Sequence, residues 1–146
     1  MREITATFIG HGSWPELRPD IVQREIMAMA ERGIRIFLCG GMGQFDRMCA
    51  RSVWQQKQNC AQIKSCLVIP YLTFSVREPE WFDEIIYPKE LENVYFKRAI
   101  LLRNRYLVQH SAHALCYVNH GWGGAARTYE LARKERLNII NIGRME

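Results

Sequence analysis

The chain has 146 residues, of which 48% are hydrophobic and 24% charged. That is the length and apolar content of one folded domain with a sizeable core, and it excludes wholesale disorder. Lys and Arg number 20 against 15 Asp and Glu, a net charge of +5 that is not gathered into any basic tail or run. Arg dominates the basic set, and its planar fork suits phosphate and carboxylate.

The first β-branched run, residues 4–9 (ITATFI), reads as a strand. Residues 18–32 place Val22, Ile26, Met29 and Ala30 at helical spacing, with Gly33 as the stop. Residues 34–39 (IRIFLC) read as a second strand, 44–58 as a helix and 65–70 (SCLVIP) as a third strand. The connection that follows, 71–95, is too long for a plain crossover loop, and Pro79 ahead of EWFDEII predicts one short helix inside it. From Arg77 to Glu92 six acids stand against two bases, a net of −4 that leaves about +9 on the rest. An acidic lid over a basic body and a merely solvated loop are both open readings of this segment. Residues 96–110 form a helical pattern that is apolar almost all round. Residues 113–118 read as a fourth strand, 125–136 as a helix and 138–142 (NIINI) as a fifth strand.

Strands that are apolar almost throughout and alternate with helices predict an α/β fold. It is a doubly wound, Rossmann-like parallel sheet of about five strands flanked by helices, a single domain over 1–146. Such sheets bind ligands in the crevice beyond the carboxyl ends of the strands. No apolar stretch approaches the roughly 20 residues of a membrane span, and MREITATFIG lacks the pattern of a signal peptide. A cytoplasmic location and no membrane partner are expected. The five cysteines include no CxxC pair and the four histidines fall at no ligand spacing with them, so buried reduced thiols are expected and neither metal nor cofactor.

The informative residues are the glycines. Gly10-His11-Gly12-Ser13 follows the first strand, Gly40-Gly41-Met42-Gly43 the second and Gly121-Trp122-Gly123-Gly124 the fourth. In a parallel sheet these ends share one edge, where glycine lets backbone N–H groups approach an anion and helix N-termini add their dipoles. Each cluster taken alone is also what a tight turn requires. GxxxxGK[ST] is absent, and Pro15 stands where GxGxxG needs its third glycine, so a P-loop and a dehydrogenase-type dinucleotide site are both disfavoured.

Arg103-Asn104-Arg105 interrupts the apolar helix. A buried guanidinium needs an anion or a route to water, and the two arginines stand about 200° apart on the helix. One is expected to reach the ligand edge while the other forms an internal ion pair or snorkels; two purely structural arginines are the competing reading. Glu130 either faces a ligand held in the last glycine turn or offsets the helix dipole. Asp46 has the same two readings. His11 and Ser13 are candidate phosphate donors, and His120 and Trp122 are candidates to flank or stack on a base.

FIGHGS, CGGMGQFD, RNRYLV and GGAARTYELA followed by NIINI resemble the SLOG superfamily over nearly the whole chain, most closely its YpsA-like (DUF1273) branch of Rossmann-like nucleotide-binding proteins. Relatives include the Lonely Guy phosphoribohydrolases and the DNA-binding DprA group. The resemblance implies a nucleotide-derived ligand across the glycine turns. Against the Lonely Guy pattern PGGxGTxxE, Gly123 and Gly124 match the paired glycines and Glu130 the glutamate, while Arg103 matches the arginine of RKxxM. Trp122 replaces the proline, Ala126 the third glycine, Arg127 the threonine (Thr128 sits one place later) and Asn104 the lysine.

The expected function is therefore binding of a small nucleotide or nucleotide-derived ligand (AMP-like, ADP-ribose or NAD-derived), with Arg127 and Arg103 or Arg105 neutralising phosphate. The alternative is a nucleoside 5′-monophosphate phosphoribohydrolase. There Glu130 would stabilise an oxocarbenium-like transition state or activate water, and Arg103 would clamp the phosphate. Nucleic acid is disfavoured as a partner, because no basic stripe interleaves with aromatics. The apolar helix predicts a homodimer contact.

Overall fold

The computed structural model describes residues 1–13 and 18–143. Pro15, which breaks the dinucleotide fingerprint, lies outside them. In chain order the elements are β1 (Thr5–Gly10), α1 (Pro19–Glu31), β2 (Ile36–Cys39), α2 (Gln44–Gln56), β3 (Lys64–Val68), β4 (Glu84–Ile86), α3 (Phe96–Gln109), β5 (His113–Tyr117), α4 (Gly124–Lys134) and β6 (Asn138–Asn141). The expected elements fall within a few residues of these bounds. The expected α/β, Rossmann-like single domain is what forms, with one strand more than anticipated.

The six strands lie in the order β4-β3-β2-β1-β5-β6, and every neighbouring pair is parallel. Side chains alternate between the faces with a period of two. Ala6, Phe8, Phe37, Cys39, Leu67 and Leu115 pack with Val22, Ile26 and Met29 of α1 and with Phe45, Cys49 and Val53 of α2. Ile9, Ala114, Cys116 and Val118 face the other way, against Val108 of α3 and Ala126 and Ala132 of α4. Leu38, Cys66 and Val68 complete that face against Leu107 of α3. Fully burying each of the larger aliphatic side chains contributes about 1.5–3 kcal/mol.

The additional strand, β4, lies inside the 71–95 connection. Pro79–Trp81 forms a single 3₁₀ turn, as the proline suggested. The chain then runs straight into Glu84–Ile86, which pairs with Cys66–Val68 at the sheet edge. A three-residue edge strand that opens on an acid gives almost no periodic signal, and short charged edges are how sheets avoid unwanted pairing. Trp81 anchors the segment to the core, stacked on Trp54 with ring centroids 5.9 Å apart.

Helix α3 is less buried than its composition suggested. Ala99, Arg103, Leu107 and Val108 are buried, whereas Phe96 and Leu101 are each 49% exposed. All five cysteines are free thiols. Burial pushes Cys116 up to about 12 and Cys66 up to about 11, so neither is a thiolate near neutral pH. No helix among the described residues is long and apolar enough to cross a membrane.

Candidate functional site

Strand order reverses between β1 and β5, since β1 pairs with β2 on one side and with β5 on the other. The connections leaving these two strands pass to opposite faces, and a crevice opens between them. A hollow of about 700 Å³ sits there. It gathers Gly10, His11, Gly12 and Ser13 from the first glycine turn, Gly40, Met42 and Gly43 from the second, and Trp122, Gly123 and Gly124 from the third, together with Asp46, Arg103, Asn104 and Thr128. The three turns thus meet in space.

Gly10 and Gly43 are among the glycines that geometry requires. A Cβ on Gly10 would collide with the Phe45 ring. Gly43 has φ +90°, and a Cβ there would lie 2.8 Å from the Gly12 Cα. That contact is sealed by the Gln44 N–H, which donates to the Gly12 carbonyl at 3.0 Å. It ties the first glycine turn to the start of α2.

Three aromatic rings form a continuous stack at the rim. His11 lies on His120 with centroids 3.7 Å apart, and His120 lies on Trp122 at 3.9 Å. The Asn119 N–H donates to His11 Nε2 at 3.1 Å, which fixes that nitrogen as an acceptor. Burial, and His120 against it, hold the His11 imidazole below its usual value. The outer end of the stack is open: Trp122 is 73% exposed. Below the stack, Gly123 with φ +94° precedes Gly124, the first residue of α4. The first N–H groups of a helix have no intrahelical partner and carry the positive end of its dipole, and here Gly123, Gly124 and Ala125 line the hollow.

Arg103 forms the inner wall. It is 2% exposed and donates to the Gly40 carbonyl at 2.6 Å, the Val68 carbonyl at 3.0 Å and Asn104 Oδ1 at 2.9 Å. Asp46 Oδ2 accepts from the Gly41 N–H and, at 3.2 Å, from the Met42 N–H. The other oxygen, Oδ1, is buried without a partner. Burial pushes the Asp46 carboxyl up and Arg103 opposes that shift; burial likewise lowers the Arg103 guanidinium, with Asp46 opposing. The pair therefore braces the second glycine turn from both sides.

Gly41, Arg105, Gly121, Arg127 and Glu130 stand outside the hollow. Arg105 and Arg127 are exposed. Glu130 forms a surface ion pair with Arg133 at 3.2 Å, its side chain 61% exposed. Tyr117 and Asn119 line the hollow without having been singled out. Outside the hollow, Asn141 supports it: its side chain accepts from the Val118 N–H at 3.1 Å and donates to the Val118 carbonyl at 3.0 Å, pinning the end of β5. The legible signal for the first two was the unbroken run YVNHGWGG, which leads from the end of β5 to the first residue of α4. No group of His, Cys, Asp and Glu among the described residues is arranged to hold a metal.

No protein-family model matches the chain. No curated protein matches it in sequence. Solved structures do match in fold. One is DNA processing protein A (DprA) from Streptococcus pneumoniae, with a TM-score of 0.68, 15% identity and coverage of 94% of this chain and 49% of that one. Another is DNA processing protein A from Helicobacter pylori, described by its single-stranded DNA binding mode, with a TM-score of 0.61, 16% identity and coverage of 94% and 64%. The chain thus spans about half of the first protein and under two-thirds of the second. The likeness shows a shared fold.

These findings correct the expected function and partners. The anticipated small-molecule nucleotide ligand, the phosphoribohydrolase alternative and the disfavouring of nucleic acid do not stand against fold neighbours that are DNA processing proteins. The sequence holds no contiguous basic-aromatic stripe, but the fold brings His11 onto His120 and Trp122 from a separate loop.

Proposed function

We propose that the hollow binds single-stranded DNA. The observation that carries this reading is the His11–His120–Trp122 stack, which ends in an exposed indole beside the N-terminus of α4. A base stacks on the open face of Trp122, and its phosphate meets the free amides of Gly124 and Ala125. Stacking accepts any base, because every base has a π-face, so the reading implies little sequence preference. The net charge of +5 favours a polyanion, and the single-stranded DNA named for the Helicobacter pylori neighbour points the same way. On its motifs we assign the chain to the YpsA-like branch, and its free cysteines suit a reducing cytoplasm.

Fluorescence anisotropy with a labelled oligothymidylate tests the reading. Binding is expected to weaken steeply with salt. Trp122→Ala, at an exposed position, is expected to lower affinity roughly 5- to 150-fold, the equivalent of about 1–3 kcal/mol for one stacked base. Competition by free dTMP as effective as that by the oligomer, or affinity indifferent to Trp122, would overturn it.

A further inference from the structure

A second hollow, of about 500 Å³, lies against the first and shares Gly12, Met42 and Gly43 with it. The Gly12–Gly43 contact forms a ridge between the two, and of the three shared residues only Met42 carries a side chain. The far wall comes from the 71–82 segment and is aromatic: Tyr71 and Phe74 meet edge to face with centroids 5.9 Å apart, and both line the hollow. The near wall carries a cation. The Arg47 guanidinium lies 5.0 Å from the Trp81 ring centroid and pairs with Glu78 at 2.9 Å, both side chains partly exposed. Arg77 lines the same space and is exposed.

Aromatic faces beside two guanidinium groups are the chemistry that takes a base and a phosphate together. We propose that this second hollow is the subsite for the adjoining nucleotides of the same single strand, an inference that rests on the reading of the first hollow given above. The strand crosses the glycine ridge, sets a base against Tyr71 and Phe74, and gives its phosphate to Arg47 and Arg77. Glu78 occupies Arg47 when DNA is absent and is displaced by the phosphate. Continuity with the first hollow selects the same strand over a separate ligand, and two arginines at the rim select a polyanion over an apolar peptide.

The test uses the full chain, labelled oligothymidylates of graded length and a salt titration. Arg47→Glu combined with Arg77→Glu is expected to lower affinity for long oligomers at least about tenfold and to reduce the salt slope by about 1.4, the loss of two phosphate contacts on a single strand. Glu78→Gln is expected to raise affinity several-fold. Arg77→Glu alone, at an exposed side chain, is expected to show part of the loss with an unchanged melting temperature, which separates binding from folding. Oligomers carrying 4-thiothymidine should crosslink to Tyr71 or Phe74 as well as to Trp122. If the arginine variants keep full affinity and salt slope, and crosslinks stay on Trp122, the second subsite is refuted while the first hollow's function stands. If the unaltered protein binds no oligomer at all, both readings fall. Protection of Arg47 and Arg77 by an acidic peptide in place of DNA would also refute the subsite.

Discussion

Arg103→Met tests whether the guanidinium is a brace in the wall of the hollow. The change keeps an unbranched apolar stem while removing the guanidinium and every donor. The Gly40 and Val68 carbonyls, reached at 2.6 and 3.0 Å, then lose a buried partner. Each carbonyl left unsatisfied costs about 1–3 kcal/mol. Asp46, already buried with one oxygen unpartnered, also loses its neighbouring cation, and breaking such a buried arrangement from one side typically costs about 3–5 kcal/mol in total. That is a large share of the roughly 5–15 kcal/mol that holds a domain together, and it corresponds to a fall of roughly 10 °C in Tm. Arg103→Lys should recover part of the loss, since one ammonium cannot span acceptors that a fork reaches. Arg105→Met, on the exposed side, should stay within about 0.5 kcal/mol of the unaltered protein. Urea unfolding followed by circular dichroism measures all three. A loss under about 1 kcal/mol for Arg103→Met, with an unchanged m value, would show that Gly40 and Val68 do not depend on it.

Asp46 gives a pH dependence of definite sign. Its folded pKa is raised above 3.8, burial being the main cause, so the folded state holds the proton more tightly than the unfolded state. Its stabilising contribution is therefore full below that value and declines as pH rises through the folded pKa. Asp46→Asn should flatten this decline in stability-versus-pH curves; an unchanged slope would assign it to other groups. Two positive-φ glycines at the starts of α2 and α4 give a matched pair. Gly43→Ala combines φ +90° with a Cβ 2.8 Å from the Gly12 Cα, whereas Gly123→Ala has φ +94° and open space around it. Gly123→Ala should cost about 1–2 kcal/mol and Gly43→Ala measurably more, by urea melts; equal costs would mean that the Gly12 backbone yields freely.

Much of this hollow was readable in one dimension because three glycine clusters, each ordinary alone, follow strands whose ends a parallel sheet brings to one edge. The clusters at 10–13, 40–43 and 121–124 follow strands whose order alone puts their ends together. Arg103 and Arg105 were also separable, since two helical positions differ by about 200° and only one can face the sheet. The same rule applied between Thr128, which lines the hollow, and Glu130 would have turned the glutamate outward. Matching a family pattern by spacing concealed that. His120 and Trp122 were singled out for stacking, but their junction with His11 was not legible, because His11 and Asn119, which lock together, are 108 positions apart. Glycine turns and a buried arginine suit a free nucleotide and a nucleotide within a strand equally well, so the proposed preference for a strand rests on the neighbouring surface.

The ring stack has a consequence for binding that packing alone would not give. Trp122 is 73% exposed, so no core holds its indole, and a free indole would be ordered only when a base arrives. Ordering a side chain at an interface costs about 0.5–1.5 kcal/mol. Here the two loops that diverge at the β1–β5 crevice are joined by imidazole rings 3.7 Å apart, and the second imidazole carries the indole at 3.9 Å. On the proposed single-strand reading, His11 organises the indole from the opposite loop without itself reaching the base. His11→Ala should weaken oligothymidylate binding roughly 2- to 12-fold, the equivalent of that ordering cost, and make Trp122 fluorescence more easily quenched by solutes before DNA is added. His11→Phe keeps a ring in the stack and should retain most of the affinity. If His11→Ala binds as tightly as the unaltered chain while Trp122→Ala binds weakly, the indole is placed by its own loop and the bridge across the crevice has no part in recognition.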